Sequence, residues 1–126
     1  MSNQDVLRRY ADAWLAGDGA AMASSLTEDV ALHLFGHSPL AGTHRGKDAV
    51  ASTIRRIQGL TNRQTLEIHD VVGGGDHAVI LVKERFENAG RTIDLSRVFL
   101  YHLRDEKITD IYVYDEDQAA VDSFWS

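Results

Sequence analysis

The chain has no cysteine among its 126 residues. That excludes a disulfide framework, a thiolate nucleophile and a zinc–thiolate centre. It has a single proline, Pro39, so no proline-rich linker divides it. Positive charge is in deficit: 13 Lys and Arg against 19 Asp and Glu, a formal net charge of −6. The basic residues are scattered, whereas a phosphate backbone calls for a concentrated positive face, so nucleic acid is not an expected partner. No apolar run approaches the ~20 residues needed to span a bilayer. Met1–Arg9 lacks the basic start and apolar core of a signal peptide. The expectation is a soluble cytoplasmic protein with no membrane partner. No repeat or low-complexity tract is present, and the length suits one domain, residues 1–126, able to build a core without staples.

What is there reads in two halves. Val6, Leu7, Tyr10, Ala11, Trp14 and Leu15 recur at helical spacing. Ser2 or Asn3 can cap this helix, and Gly17 is placed to end it. Gly19–Leu26 reads as a short second helix and Asp29–Gly36 as a strand. His37–Gly46 reads as a loop. Val50, Ile54 and Ile57 mark one side of a third helix. From Arg63 onward four β-rich runs, 63–72, 77–88, 91–103 and 107–115, are separated by turn signals. These are Gly73–Asp76, Asn88–Gly90 and Arg104–Glu106. A short closing helix follows, with Val121, Phe124 and Trp125 pointing inward. Helices first and a strand meander afterwards predict an α+β domain. The expected arrangement is a cone: a curved antiparallel sheet with the N-terminal helices covering its concave face, the cystatin-like α+β roll.

The strands carry more charge than a plain core needs. Period two puts Ile93, Leu95, Arg97, Phe99, Tyr101 and Leu103 on one face of the 91–103 strand. Arg97 is alone among apolar neighbours there, and an unpartnered buried arginine is costly. On the preceding strand Val79, Leu81, Lys83, Arg85 and Glu87 share one face, and Ile80, Val82, Glu84 and Phe86 the other. Glu87 or a bound ligand is a candidate partner for Arg97. Arg85 with Glu87 forms the sharpest pair, an arginine to hold an oxygen anion and a carboxylate able to act as a base if desolvated. The competing reading is a cross-strand ion pair. His33 has an unperturbed pKa suited to proton transfer. His33 and His37 are four apart, but on a strand running into a loop, so no metal site is expected.

"RRYADAWLAGD" (8–18), "GTHRGKDAV" (42–50), "EIHDVV" (67–72) and "DEKITDIYVYDEDQAAVDSFW" (105–125), in this order, resemble the SnoaL-like family. That family belongs to the superfamily of nuclear transport factor 2, ketosteroid isomerase and limonene epoxide hydrolase. The resemblance implies a deep cavity between sheet and helices and a homodimer built on the outer sheet face. Its known catalytic layouts transfer only in part. Tyr10 matches the oxyanion-donating tyrosine of ketosteroid isomerase, but the two acidic positions of that layout fall at Leu34 and Phe99. The general base of polyketide cyclases falls at Val113. Arg85 and Glu87 match the first part of the epoxide-hydrolase set, whose last carboxylate again falls at Val113. A register shifted by two would offer Asp115 or Ile111.

The resulting expectation is a cofactor-free acid/base enzyme acting on an apolar, oxygenated small molecule of the polyketide, terpenoid or steroid kind. Its chemistry would be cyclisation, isomerisation, dehydration or epoxide opening. Tyr10, Arg85, Glu87, Arg97 and His33 are the expected catalytic residues. Trp14, Phe35, His37, Phe99, Tyr101, Val113 and Asp115 are expected to contact substrate. No metal is expected. The alternative is a binding or interaction domain with the same cavity and no chemistry.

Overall fold

The computed structural model describes all 126 residues. Four helices, α1 (Asn3–Ala16), α2 (Gly19–Ser24), α3 (Lys47–Thr61) and α4 (Gln118–Phe124), accompany six strands. These are β1 (Leu26–Leu34), β2 (Gly42–Arg45), β3 (Gln64–Gly73), β4 (His77–Asn88), β5 (Arg91–Arg104) and β6 (Lys107–Asp115). One curved, open sheet runs in the order β2-β1-β6-β5-β4-β3. Every neighbouring pair is antiparallel except β1 with β6, which is parallel. The architecture is the α+β roll that the order of elements predicts. The expected antiparallel sheet is corrected at that one pair, where the long connection through β2, α3 and the β3–β5 meander brings β6 back beside β1 in the same direction.

Local chemistry explains the long elements. Ser2 and Asp5 form a reciprocal capping box at the start of α1, and Gly17 closes its end in the left-handed conformation (φ 69°), where a side chain would be strained. The β4–β5 and β5–β6 connections are two-residue turns. Ala89–Gly90 and Asp105–Glu106 all have positive φ, the primed geometry whose twist suits adjoining strands. These turns fix the registers Asn88↔Arg91 and Arg104↔Lys107.

One strand was not legible. Residues 42–45 fall within the expected loop, yet pair with β1 from Ala31↔Arg45 to Leu34↔Gly42. Four residues flanked by glycines carry too little pattern to announce a strand, and the pairing comes from β1. β1 also starts at Leu26, inside the expected second helix, which is shorter than expected.

The core lies between the concave face and α1, α3 and α4. Leu7, Val30, Ile80, Ile108 and Val121 are fully buried there. The N-terminal turn of α1 is fastened to the end of β3. Gln4 Nε2 donates to the Val71 carbonyl at 2.6 Å, and Gln4 Oε1 accepts from the Gly73 amide. Glycine is required at 73 because a Cβ there would lie 2.6 Å from the Gln4 backbone nitrogen. Gly73→Ala is therefore expected to destabilise the fold by about 1–3 kcal/mol, as overpacking does. Urea unfolding of both proteins measures it, and an unchanged midpoint would refute this fastening.

Candidate functional site

A cavity of about 590 Å³ opens between the sheet and the helices, with 14 of its 19 lining residues hydrophobic. Its exposed lining residues, Leu15, Ala16, Gly17 and Gln58, place the opening between the end of α1 and the last turns of α3. Apolar walls with a few converging polar groups are the usual make-up of a small-molecule pocket.

The polar wall is built on β3, β4, β5 and β6. Arg97 on β5 is 4% exposed. Its Nη1 donates to Glu84 Oε1 at 2.9 Å, and its Nε donates to Asp115 Oδ1 at 2.6 Å, with a longer contact from Nη2 to Oδ2. Glu84 on β4 is 1% exposed, and its Oε2 accepts from Arg63 Nε at 2.7 Å and Thr65 Oγ1 at 2.8 Å. Thr65 in turn accepts from Trp14 Nε1 at 2.9 Å. The chain Arg63–Glu84–Arg97–Asp115 alternates in sign and sums to zero. That is the condition under which charges can stay ionised in a core. Burial alone would push the Glu84 carboxyl up, but the charges of Arg63 and Arg97 and the hydrogen bonds from Arg63 and Thr65 outweigh it. The net effect holds it below the usual carboxylate range.

The arginines face the cavity, while the carboxylates stand behind them. Arg63 and Arg97 are among the lining residues, and the lining contains no Asp, Glu or His. Arg63 spends only Nε on Glu84 and stacks over the rings of Trp14 and Phe99, 5.2 and 5.9 Å from their centroids. Further along β5, Tyr101 packs edge-on against Tyr10, ring centroids 5.5 Å apart. Neither hydroxyl has a protein partner. Burial pushes the Tyr10 phenol up to about 12 and Tyr101 well above its ordinary value, so both stay protonated and able to donate.

Six expected site residues line this cavity: Tyr10, Trp14, Arg97, Phe99, Tyr101 and Val113. Asp115 is not on the lining but holds Arg97 from behind. The remainder lie elsewhere, and each is a correction. Arg85 points to the other side of β4 and pairs with Asp94, Nε to Oδ1 at 2.7 Å. Glu87 does not reach Arg97. It accepts from Asn62 and Gln64 at the α3–β3 junction. Both errors come from one choice of parity, since the inward face of β4 is Ile80, Val82, Glu84 and Phe86. His33 is on the outer face, stacked on Tyr112, with Nε2 at 2.9 Å from Asp110 and Nδ1 at 3.0 Å from Thr43. Phe35 is 41% exposed and stacks on Tyr114. His37 is exposed, and its backbone amide donates to Asp122.

Glu84, Arg63 and Thr65 are the residues that sequence reading missed. A lone Glu84 on the apolar face of β4 mirrors the lone Arg97 on β5. The two-residue turn sets Val82 opposite Arg97, which puts Glu84 on the diagonal within reach. Glu84→Gln would leave both arginines short of a counter-charge. It is expected to cost roughly 3 kcal/mol in urea unfolding at neutral pH. Because the folded carboxyl is held low, its contribution is present above the unfolded carboxylate range and is lost as pH falls through the folded value. The gap between wild type and Glu84→Gln should therefore narrow below about pH 4. A gap that widens there would contradict the ion chain.

Comparison with known proteins agrees with this geometry. The SnoaL-like domain matches residues 7–111. An uncharacterised protein of Mycobacterium tuberculosis is 30% identical over 124 residues, covering 97% of this chain and 95% of that protein. A protein of unknown function with a cystatin-like fold from Xanthomonas campestris superposes with a TM-score of 0.92 at 27% identity, over 100% of this chain and 99% of the other. A Mesorhizobium loti protein described as a SnoaL-like polyketide cyclase superposes with a TM-score of 0.73 at 22% identity, over 90% of this chain and 99% of the other. Likeness at that identity speaks for the fold alone. On the match across residues 7–111 and the relative that spans nearly its whole length, the chain belongs to the SnoaL-like family, within the NTF2-like fold.

Proposed function

We propose that the cavity binds an apolar, ring-bearing small molecule with oxygen acceptors, of the polyketide, terpenoid or steroid kind, and acts on it by hydrogen-bond donation. One observation carries this reading: the wall offers donors and arginines, and both nearby carboxylates are turned away behind them. A carbonyl oxygen fits such a wall, and an amine does not. Donors fixed in a dry site favour negative charge that develops on that oxygen. Cyclisation or isomerisation through an enol is the chemistry this would assist, with no cofactor. Enolisation needs an acceptor for the α-hydrogen, just as dehydration and epoxide opening need a base, and neither a carboxylate nor an imidazole lines the wall; the proton would therefore pass to water entering at the cavity mouth. That same lack supports the second reading, a carrier or receptor that holds the compound without turning it over.

Calorimetric titration tests the first step. Cyclic enones and hydroxylated aromatic polyketides should bind, and their amine counterparts should not. Tyr101→Phe should weaken the oxygenated ligands roughly tenfold, the scale of one to two neutral hydrogen bonds. Amines binding as well as ketones would sink the proposal. For any ligand that binds, exchange of its α-hydrogens with deuterated solvent separates the two readings. Faster exchange with protein means an enzyme, and unchanged exchange means a carrier.

We also propose a homodimer through the outer sheet face, where Tyr114, Phe35 and Val98 are exposed. Tyr114→Asp should then sediment as a monomer while the wild type sediments as a dimer. A monomeric wild type would rule the dimer out.

A further inference from the structure

The ion chain is neutral in sum but uneven along its length. Glu84 is shared, Oε1 with Arg97 and Oε2 with Arg63 and Thr65. Arg97 has that share of Glu84 and the whole of Asp115. Arg63 has only its share of Glu84. Negative charge is therefore in surplus at the Asp115 end and positive charge at the Arg63 end. Asp115 stands off the cavity lining, and Arg63 stands on it.

The positive surplus sits on donors that are free and reachable. Arg63 uses only Nε within the protein. Nη1 and Nη2 have no partner, and neither is sealed from solvent, since the buried polar atoms without partners belong to Thr27 and Trp125. The side chain as a whole is 16% exposed. Its guanidinium is nevertheless fixed in orientation. Nε is tied to Glu84, and the plane packs over the rings of Trp14 and Phe99. With Nε engaged, the open edge is the one formed by Nη1 and Nη2. Two parallel N–H groups on such an edge match the two oxygens of a carboxylate. An edge held in advance also loses little freedom on binding.

The position suits an acid. Arg63 directly follows Asn62, which closes α3, so it stands beside the opening between α1 and α3. An anion held there keeps part of its hydration, while an apolar body enters among Leu32, Leu34, Ile111 and Val113. Deeper burial of the anion would cost far more. A second negative charge would find no counterpart, because Arg97 is already matched. The edge therefore fits a monoanion and not a phosphate dianion.

We infer that Arg63 is a carboxylate-binding residue, and that the ligand of this cavity is an apolar ring acid held at the mouth by Nη1 and Nη2. This rests on the small-molecule reading above and narrows its ligand class from oxygenated ring compounds to those that carry a carboxylate.

The test uses 2-naphthoate and 2-acetylnaphthalene, which share a two-ring body and a carbonyl and differ in an anionic oxygen against a methyl group. Affinities are measured by calorimetry at neutral pH for wild type and Arg63→Met. Wild type should bind the acid roughly tenfold more tightly, the scale of hydrogen bonds to a charged group. Methionine keeps an apolar stem over Trp14 and Phe99 and removes the fork, so the variant should bind the ketone as wild type does and show no preference for the acid. Thermal melting confirms that it is folded. If Arg63→Met loses its fold, Arg63→Lys decides. Lysine keeps a charge for Glu84 but has a single nitrogen, which that pairing occupies, so the preference should fall by roughly threefold or more. No preference in wild type overturns the inference and leaves the open edge merely hydrated. A preference that persists in folded Arg63→Met, or stays undiminished in Arg63→Lys, also overturns it, because the charge would then be recognised elsewhere. Each of these outcomes leaves the small-molecule reading standing, since the ketone still binds. If neither probe nor any oxygenated ligand binds wild type, the small-molecule reading fails and the inference falls with it.

Discussion

The rest of the site depends on the pairing of Arg97 with Glu84 and Asp115. An arginine in the centre of an apolar strand face is costly unless its charge is matched and its N–H groups are used. Here the match comes from β4 on one side and β6 on the other. Because β5 lies between those strands in the sheet, one side chain holds three neighbouring strands to a common register on the cavity wall. Slipping any of them by one residue would turn its partner to the other face. The ion chain thus acts as a register lock as well as a charged wall.

The arrangement also sets what the cavity presents. A carboxylate on the wall would make it a base. Placed behind arginines, the same carboxylate is stabilised in its charged form and hidden, and the face offered to a guest is one of N–H and O–H donors. The two tyrosines carry this further, since burial keeps their hydroxyls protonated. The wall is therefore complementary to oxygen acceptors and to negative charge that appears on them.

Much of this is legible in the sequence. The long helices, the four-strand meander and the mostly apolar face of β5 that carries Arg97, Phe99 and Tyr101 follow from periodicity and turn residues, and the resemblance to the SnoaL-like family implies the cavity that Tyr10 and Trp14 line. β4 was misread because charged residues occur on both of its faces. Lys83, Arg85 and Glu87 formed a more conspicuous cluster than the single Glu84, and parity alone does not say which face is inward. The register of the hairpin does, through the facing arginine. Arg63 was illegible for another reason. It follows the left-handed Asn62 at the junction of α3 and β3, where no periodicity tells where a side chain points. Trp125 was read as packing inward, which it does.

The two primed turns make the polar wall local along the chain. Arg97 finds Glu84 across 13 residues and Asp115 across 18, and closing such short loops costs little entropy. The contact that seats α1 over the sheet, Gln4 with Val71, spans 67 residues. During folding, the charged partners can meet within the meander while it is still open to water, before α1 closes over them. Desolvation then falls on groups already paired, which avoids the costliest species on the way to the fold, a lone arginine sealed in an apolar core.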